Sequence, residues 1–162
     1  MRRIVFCVAV ALVVGVIVHT AYAGEEEDSM ALAKKAALFI KIHGKAKGFA
    51  EIMNPNGTLR KGRLVVTAHD LTGVCLADAA LPKLAGQNQY DLSDPDDKYF
   101  IREAIRIAKT KGGGWLEWGS TDFETNKIIP LNAWVQRVEG MDIFVMAPIP
   151  LQKRWYFVTL GW

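Results

Sequence analysis

The first 23 residues constrain this chain more than any other feature. Arg2 and Arg3 precede an unbroken apolar run from Ile4 to Val18, and Ala21-Tyr22-Ala23 follows it. A basic start, a short apolar stretch and small residues at a cleavage position form the pattern of an export signal. The alternative is an uncleaved anchor. The 15 residues of the run rise about 22 Å as a helix, against roughly 30 Å of bilayer core, so the pattern favours cleavage after Ala23. The expected location is periplasmic or secreted. A mature chain from Gly24 to Trp162 keeps one cysteine, Cys75. It can form no internal disulfide and must stand on its core alone.

At 51% hydrophobic residues the composition can supply that core. The formal charge is +3, and +1 without Arg2 and Arg3. That balance lacks the basic footprint of a nucleic-acid binder. No CxxCH, paired-cysteine, HExxH or phosphate-loop motif occurs, so neither a metal nor a cofactor is expected.

The spacing of apolar residues predicts a helix from Met30 to His43 behind the acids Glu25–Asp28, with Leu32, Ala36, Phe39, Ile40 and His43 on one stripe. A shorter helix, Ala46 to Ile52, ends at the turn Asn54-Pro55-Asn56-Gly57. Leu64–His69 and Val74–Asp78 read as a hairpin around Asp70–Gly73. Asp94-Pro95 reads as the capped start of a helix that runs past Phe100, Ala104, Ile107 and Ala108 and closes at Gly112. Strands follow at Trp115–Trp118, Asn132–Val138 and Ile143–Ala147, where Pro148 and Pro150 are expected to break the last one. Trp155–Leu160 is a final edge strand or a packed tail. The class is α+β, with a small antiparallel sheet carrying helices on one face or at one end.

Four ordered stretches resemble the single Cache domain, the extracellular PAS-like sensor module: Asn54–Gly57; Thr67–Gly73; Leu92–Asp96 with Tyr99–Glu103; and Gly112–Trp118. Asn126–Val138 is a weaker fifth match. They cover roughly Phe39 to Ala147. The resemblance implies residues 24–162 as one domain, with a long N-terminal helix behind a curved antiparallel sheet and a small-molecule pocket on the other face. It also implies a sensing role in the service of a membrane receptor. An enzyme is the last-ranked reading, because the sequence offers no convergent set of acid, base and nucleophile. With no second membrane segment or output domain in sight, the chain is expected to be a free-standing exported copy.

Pairing Asp70 with Gly73 sets the hairpin's faces. Val65, Thr67, His69, Val74, Leu76 and Asp78 share one; Leu64, Val66, Ala68, Cys75 and Ala77 share the other. The polar face is the candidate pocket side. On this parity Cys75 and His69 stand on opposite faces, which argues against a Cys–His nucleophile pair. His69 is either a ligand contact or a hydrogen-bonded strand-end histidine. Asp78 is either a ligand contact or a cap for the loop before Leu81.

Many domains that this chain resembles carry a histidine where it has Asp78, a lysine where it has Leu131, and tyrosines where it has Val65, Trp118 and Trp134. A pocket carboxylate without a nearby cation disfavours anions. Asp78 with Trp118 and Trp134 suits an amine or a neutral ligand, while strand tryptophans are also ordinary core residues. Phe100 and Arg102 on the central helix complete the candidate ligand contacts, with a solvated surface arginine as the alternative for Arg102. The expected partners are a small molecule and a membrane receptor, with a homodimer as a further candidate. The competing reading is a structural or interaction module with a filled pocket and an aromatic docking end, Trp155–Phe157 and Trp162.

Overall fold

The computed structural model describes residues 24–121 and 127–151. The expected export segment, residues 122–126 of the polar connection and the aromatic end lie outside them.

Helix α1 occupies residues 24–43 and starts earlier than the apolar spacing predicts. Its acids Glu25–Asp28 form the first turns rather than precede them, where free backbone N–H groups favour negative charge. Leu32, Ala33, Ala36, Ala37 and Ile40 are its buried stripe, and His43 is exposed. Helix α2 is Lys45–Met53. A Cβ on Gly48 would stand 2.5 Å from Ile40 Cγ1, so only a glycine lets α2 lie this close to α1.

The strands are β1 (Thr67–Asp70), β2 (Cys75–Asp78), β3 (Gly113–Thr121), β4 (Ile128–Arg137) and β5 (Ile143–Pro150). They form one antiparallel sheet in the order β2-β1-β5-β4-β3. Strand β5 runs through both prolines instead of stopping at Ala147. Leu151 N–H bonds to Pro130 O on β4, and the ladder alternates, so Pro148 and Pro150 turn their missing N–H groups away from β4. On that side β1 has already ended at the Thr67–Met146 pair. No ladder bond is lost there, which is the circumstance in which a sheet tolerates proline.

Helix α3 spans Phe100–Lys111, and Gly112 closes it in the left-handed region at φ 71°. Asp94 does not cap it. Its carboxylate accepts the N–H groups of Asp96 and Lys98, closing its own loop, and that of Gly119 on β3. These bonds, Gly119's foremost, hold the Asp94 carboxyl below the usual carboxylate range.

Helices cover both faces of the sheet rather than one. On the first face α1 and α2 pack against Val66, Ala68, Ala77, Val145 and Ala147. On the second, α3 packs against Leu116, Trp118, Ala133, Val135, Phe144 and Met146. Ser29, fully buried on α1, ties the first layer to the backbone. Its hydroxyl donates to Ala147 O at 2.6 Å and accepts from Trp134 N–H at 3.2 Å, two groups that face each other across the β4–β5 ladder.

Candidate functional site

The hairpin register differs from the sequence expectation. Thr67 pairs with Asp78 and Ala68 with Ala77, but His69 pairs with Cys75, because the register shifts by one residue at Ala68/His69. This bulge exchanges two residues between faces. Leu76 packs with the α1–α2 layer, and Cys75 comes opposite His69. The separation of Cys75 from His69 is therefore corrected. The thiol is still unsuited to nucleophilic chemistry: it is fully buried, and burial together with the Asp78 charge pushes its pKa up to about 11.

Thr67, His69 and Asp78 lie together on the α3 side of the sheet, where Thr67 pairs with Met146 and His69 with Phe144 on β5. All three are buried, at 7%, 2% and 7% exposure. The His69 ring stacks on Phe144 with centroids 5.4 Å apart. Its Nε2–H donates to Gln89 Oε1 at 2.8 Å, leaving Nδ1 as an acceptor. Burial pushes the His69 pKa below the usual histidine range, more strongly than Gln89 and the nearby Asp78 raise it, so the ring is neutral. His69 Nδ1 and Thr67 Oγ1 are both buried without a hydrogen-bond partner. Asp78 Oδ1 accepts the N–H groups of Ala80 and Leu81, which is the loop-capping role weighed for it.

The other candidates do not converge on this corner. Trp118 and Phe100 stack on each other at 5.3 Å on the same face, but Trp118 is on β3, three strands from β1. Three interstrand steps span about 14 Å along a sheet. Leu131 is the cross-strand partner of Trp118 and packs in the same cluster. Trp134 stands on the opposite face, against the α1 layer, with Lys34 5.3 Å from its ring and its indole N–H on Gln136. Its strand position has the other parity, so it cannot share a site with Trp118. Arg102 points outward. It pairs with Asp91, and its guanidinium lies 3.9 Å from the Tyr99 ring and 5.0 Å from that of Tyr90. The absence of an acid at helical spacing concealed this partner, which comes from the preceding loop.

The two hollows described in the structure, of ≈ 450 and ≈ 520 Å³, lie elsewhere. One is at the Asp70–Gly73 turn and the other beside Tyr90–Leu92. Neither is lined by Thr67, His69 or Asp78. Among the described residues, no group of three His, Cys, Asp or Glu side chains is arranged to hold a metal ion.

Residues 27–150, which hold the helices on both faces and the five-stranded antiparallel sheet, match a known family model, single Cache domain 2. The chain belongs to that family. Its fold is therefore the PAS-like Cache fold, and it is similar to periplasmic chemotaxis sensor domains. A Cache chemosensory domain that recognises carboxylic acids superposes with a TM-score of 0.67 at 19% identity, covering 83% of this chain and 98% of that one. A methyl-accepting chemotaxis protein from Vibrio parahaemolyticus gives 0.66 at 17% identity, covering 83% and 93%. The periplasmic sensor domain of a chemotaxis protein gives 0.62 at 14% identity, covering 82% and 94%. At these identities the likeness is one of fold. The curated proteins contain no match. No described helix is long and apolar enough to cross a membrane.

Sequence reasoning missed Gln89 and Phe144, the two residues that fix the His69 ring. Gln89 lies in a loop without periodicity, and Phe144 is 75 residues downstream of the histidine, so neither gives a local signal.

Proposed function

We propose that this Cache domain is an exported sensor module that binds a small donor-bearing molecule, a protonated amine or a neutral metabolite, at the Thr67–His69–Asp78 corner, and that a membrane receptor reads its ligand state. The observation that carries this reading is that two of the three buried side-chain atoms without partners among the described residues, Thr67 Oγ1 and His69 Nδ1, fall at this one corner; the third is Asn132 Oδ1 on β4. A buried polar group that forgoes its hydrogen bond costs about 1–3 kcal/mol, and such groups in a folded protein mark places where something else completes the bonding. Here the inventory is mainly of acceptors: an imidazole nitrogen, a carboxylate and a hydroxyl. A group with N–H or O–H donors satisfies them, whereas a carboxylate would meet Asp78 and a neutral histidine. The likeness to chemotaxis sensor domains supports the sensing role.

The second reading, an interaction module with a filled pocket, is favoured by one observation: the layer between α3 and the sheet is occupied by its own side chains, and the described hollows lie elsewhere. A thermal-shift screen separates the two readings. Ligands that bind only the folded state raise the melting temperature. Stabilisation by amines or polyols, lost in Thr67→Val, supports the sensor reading. Silence across the panel supports the filled module. Stabilisation by acetate or pyruvate alone refutes the donor-bearing class while retaining the sensor.

A further inference from the structure

At the end of the sheet away from Asp78, the hollow of ≈ 450 Å³ opens between α2, the end of α3 and the start of β5. Its floor is apolar, built from Phe49, Leu71, Leu76 and Ile143. Leu76 belongs to that floor because the β2 bulge turns it away from His69. The rim carries two acids, Asp70 and Asp142, and two bases, Lys45 and Lys109.

The acids are already engaged. Asp70 Oδ1 accepts the N–H groups of Thr72 and Val74 and the Thr72 hydroxyl. Asp142 lies 3.6 Å from the Arg137 guanidinium. The carbonyl of Gly112, at the negative end of α3, receives the Arg137 N–H and the Gln136 amide. Neither Lys45 nor Lys109 has an ion-pair partner among the described residues. Both carboxylates keep their charge, so the two lysines and the Arg137 guanidinium stand against two acids, and the balance around the apolar floor is a single positive charge.

We propose that this hollow is a second binding site, for an anion with an apolar body: a carboxylate carried on a ring or a short alkyl chain. The floor takes the apolar body out of water, and the two ammonium groups meet the carboxylate at the rim. The volume falls within the range of about 300–1,000 Å³ usual for small-ligand sites. The site takes the charge opposite to that suited to the Thr67–His69–Asp78 corner, shares no residue with it and stands whether or not that corner binds anything.

The test is a titration of the ¹⁵N-labelled full chain, followed by amide NMR, with benzoate, octanoate and benzylamine as probes. Benzoate and octanoate should shift the amides of Leu71, Thr72, Lys109 and Ile143, and benzylamine should not. Lys45→Gln and Lys109→Gln are exposed substitutions, and unchanged shifts elsewhere in the spectrum verify the fold. Each should weaken benzoate about three- to fivefold, the size of a solvent-facing ion pair, and Thr67→Val should leave it unchanged. Three results would overturn the proposal: no shift at these amides with millimolar benzoate or octanoate, equal binding of benzylamine, or undiminished binding in the double lysine variant.

Discussion

Replacing Thr67 by valine tests the reasoning about the buried corner most directly. Valine keeps the branched shape on β1 and deletes only the hydroxyl. In the folded chain that hydroxyl is 7% exposed as part of Thr67 and bonds to nothing, whereas in the unfolded chain water satisfies it. Folding therefore sacrifices its hydration without return, a loss of about 1–3 kcal/mol that the methyl group avoids. Thr67→Val should stabilise the ligand-free protein by about 1–2 kcal/mol, or roughly 3–7 °C in melting temperature for a domain of this size. Urea denaturation with an unchanged m-value is the assay. Thr67→Ser, which keeps the hydroxyl and removes the methyl, should instead lose about 1 kcal/mol. The same valine variant should lose its response to amine or polyol ligands, so that stability and binding move in opposite directions. A Thr67→Val protein less stable than wild type by 1 kcal/mol or more would show that the hydroxyl is bonded in solution, and the corner would lose its claim to be a binding site.

Three further outcomes follow from the same structure. Burial lowers the His69 pKa, so the unfolded chain takes up this proton more readily than the folded one. Stability from this group is full above about pH 6.5 and falls as pH drops below it, with a slope of up to about 1.4 kcal/mol per pH unit; His69→Gln should flatten the urea midpoint between pH 6.5 and 5. Ser29→Ala removes two buried bonds between α1 and the β4–β5 ladder and should cost about 1–2 kcal/mol by chemical denaturation, while an unchanged midpoint would mean that Trp134 and Ala147 close the ladder without it. Cys75, buried and protonated, should react with a thiol reagent only as fast as the chain opens; stoichiometric labelling of the native protein within seconds would contradict its placement.

Helix α2, the Gly112 stop, the Asp70–Gly73 turn and the polar face of the hairpin all follow from the sequence alone. Each depends on residues within a few positions of one another: a helical or alternating period, a glycine where φ is positive, an aspartate that bonds to its own turn. The polarity of one strand face drew attention to Thr67, His69 and Asp78 for the same reason, and the family resemblance followed from the order of these short stretches.

Tertiary structure decided the rest. A one-residue register shift in β2 exchanged Cys75 and Leu76 between faces, and strand parity carried Trp134 to the α1 side; a period of two residues makes every face assignment hostage to register, and register is set by the neighbouring strand. Asp94 went to Gly119 instead of capping α3, Arg102 went to Asp91, and Gln89 and Phe144 fixed the His69 ring. The prolines of β5 were harmless only because β1 had already ended beside them. Contacts of this kind join segments with no common period, and their energies exist only after the chain has brought those segments together.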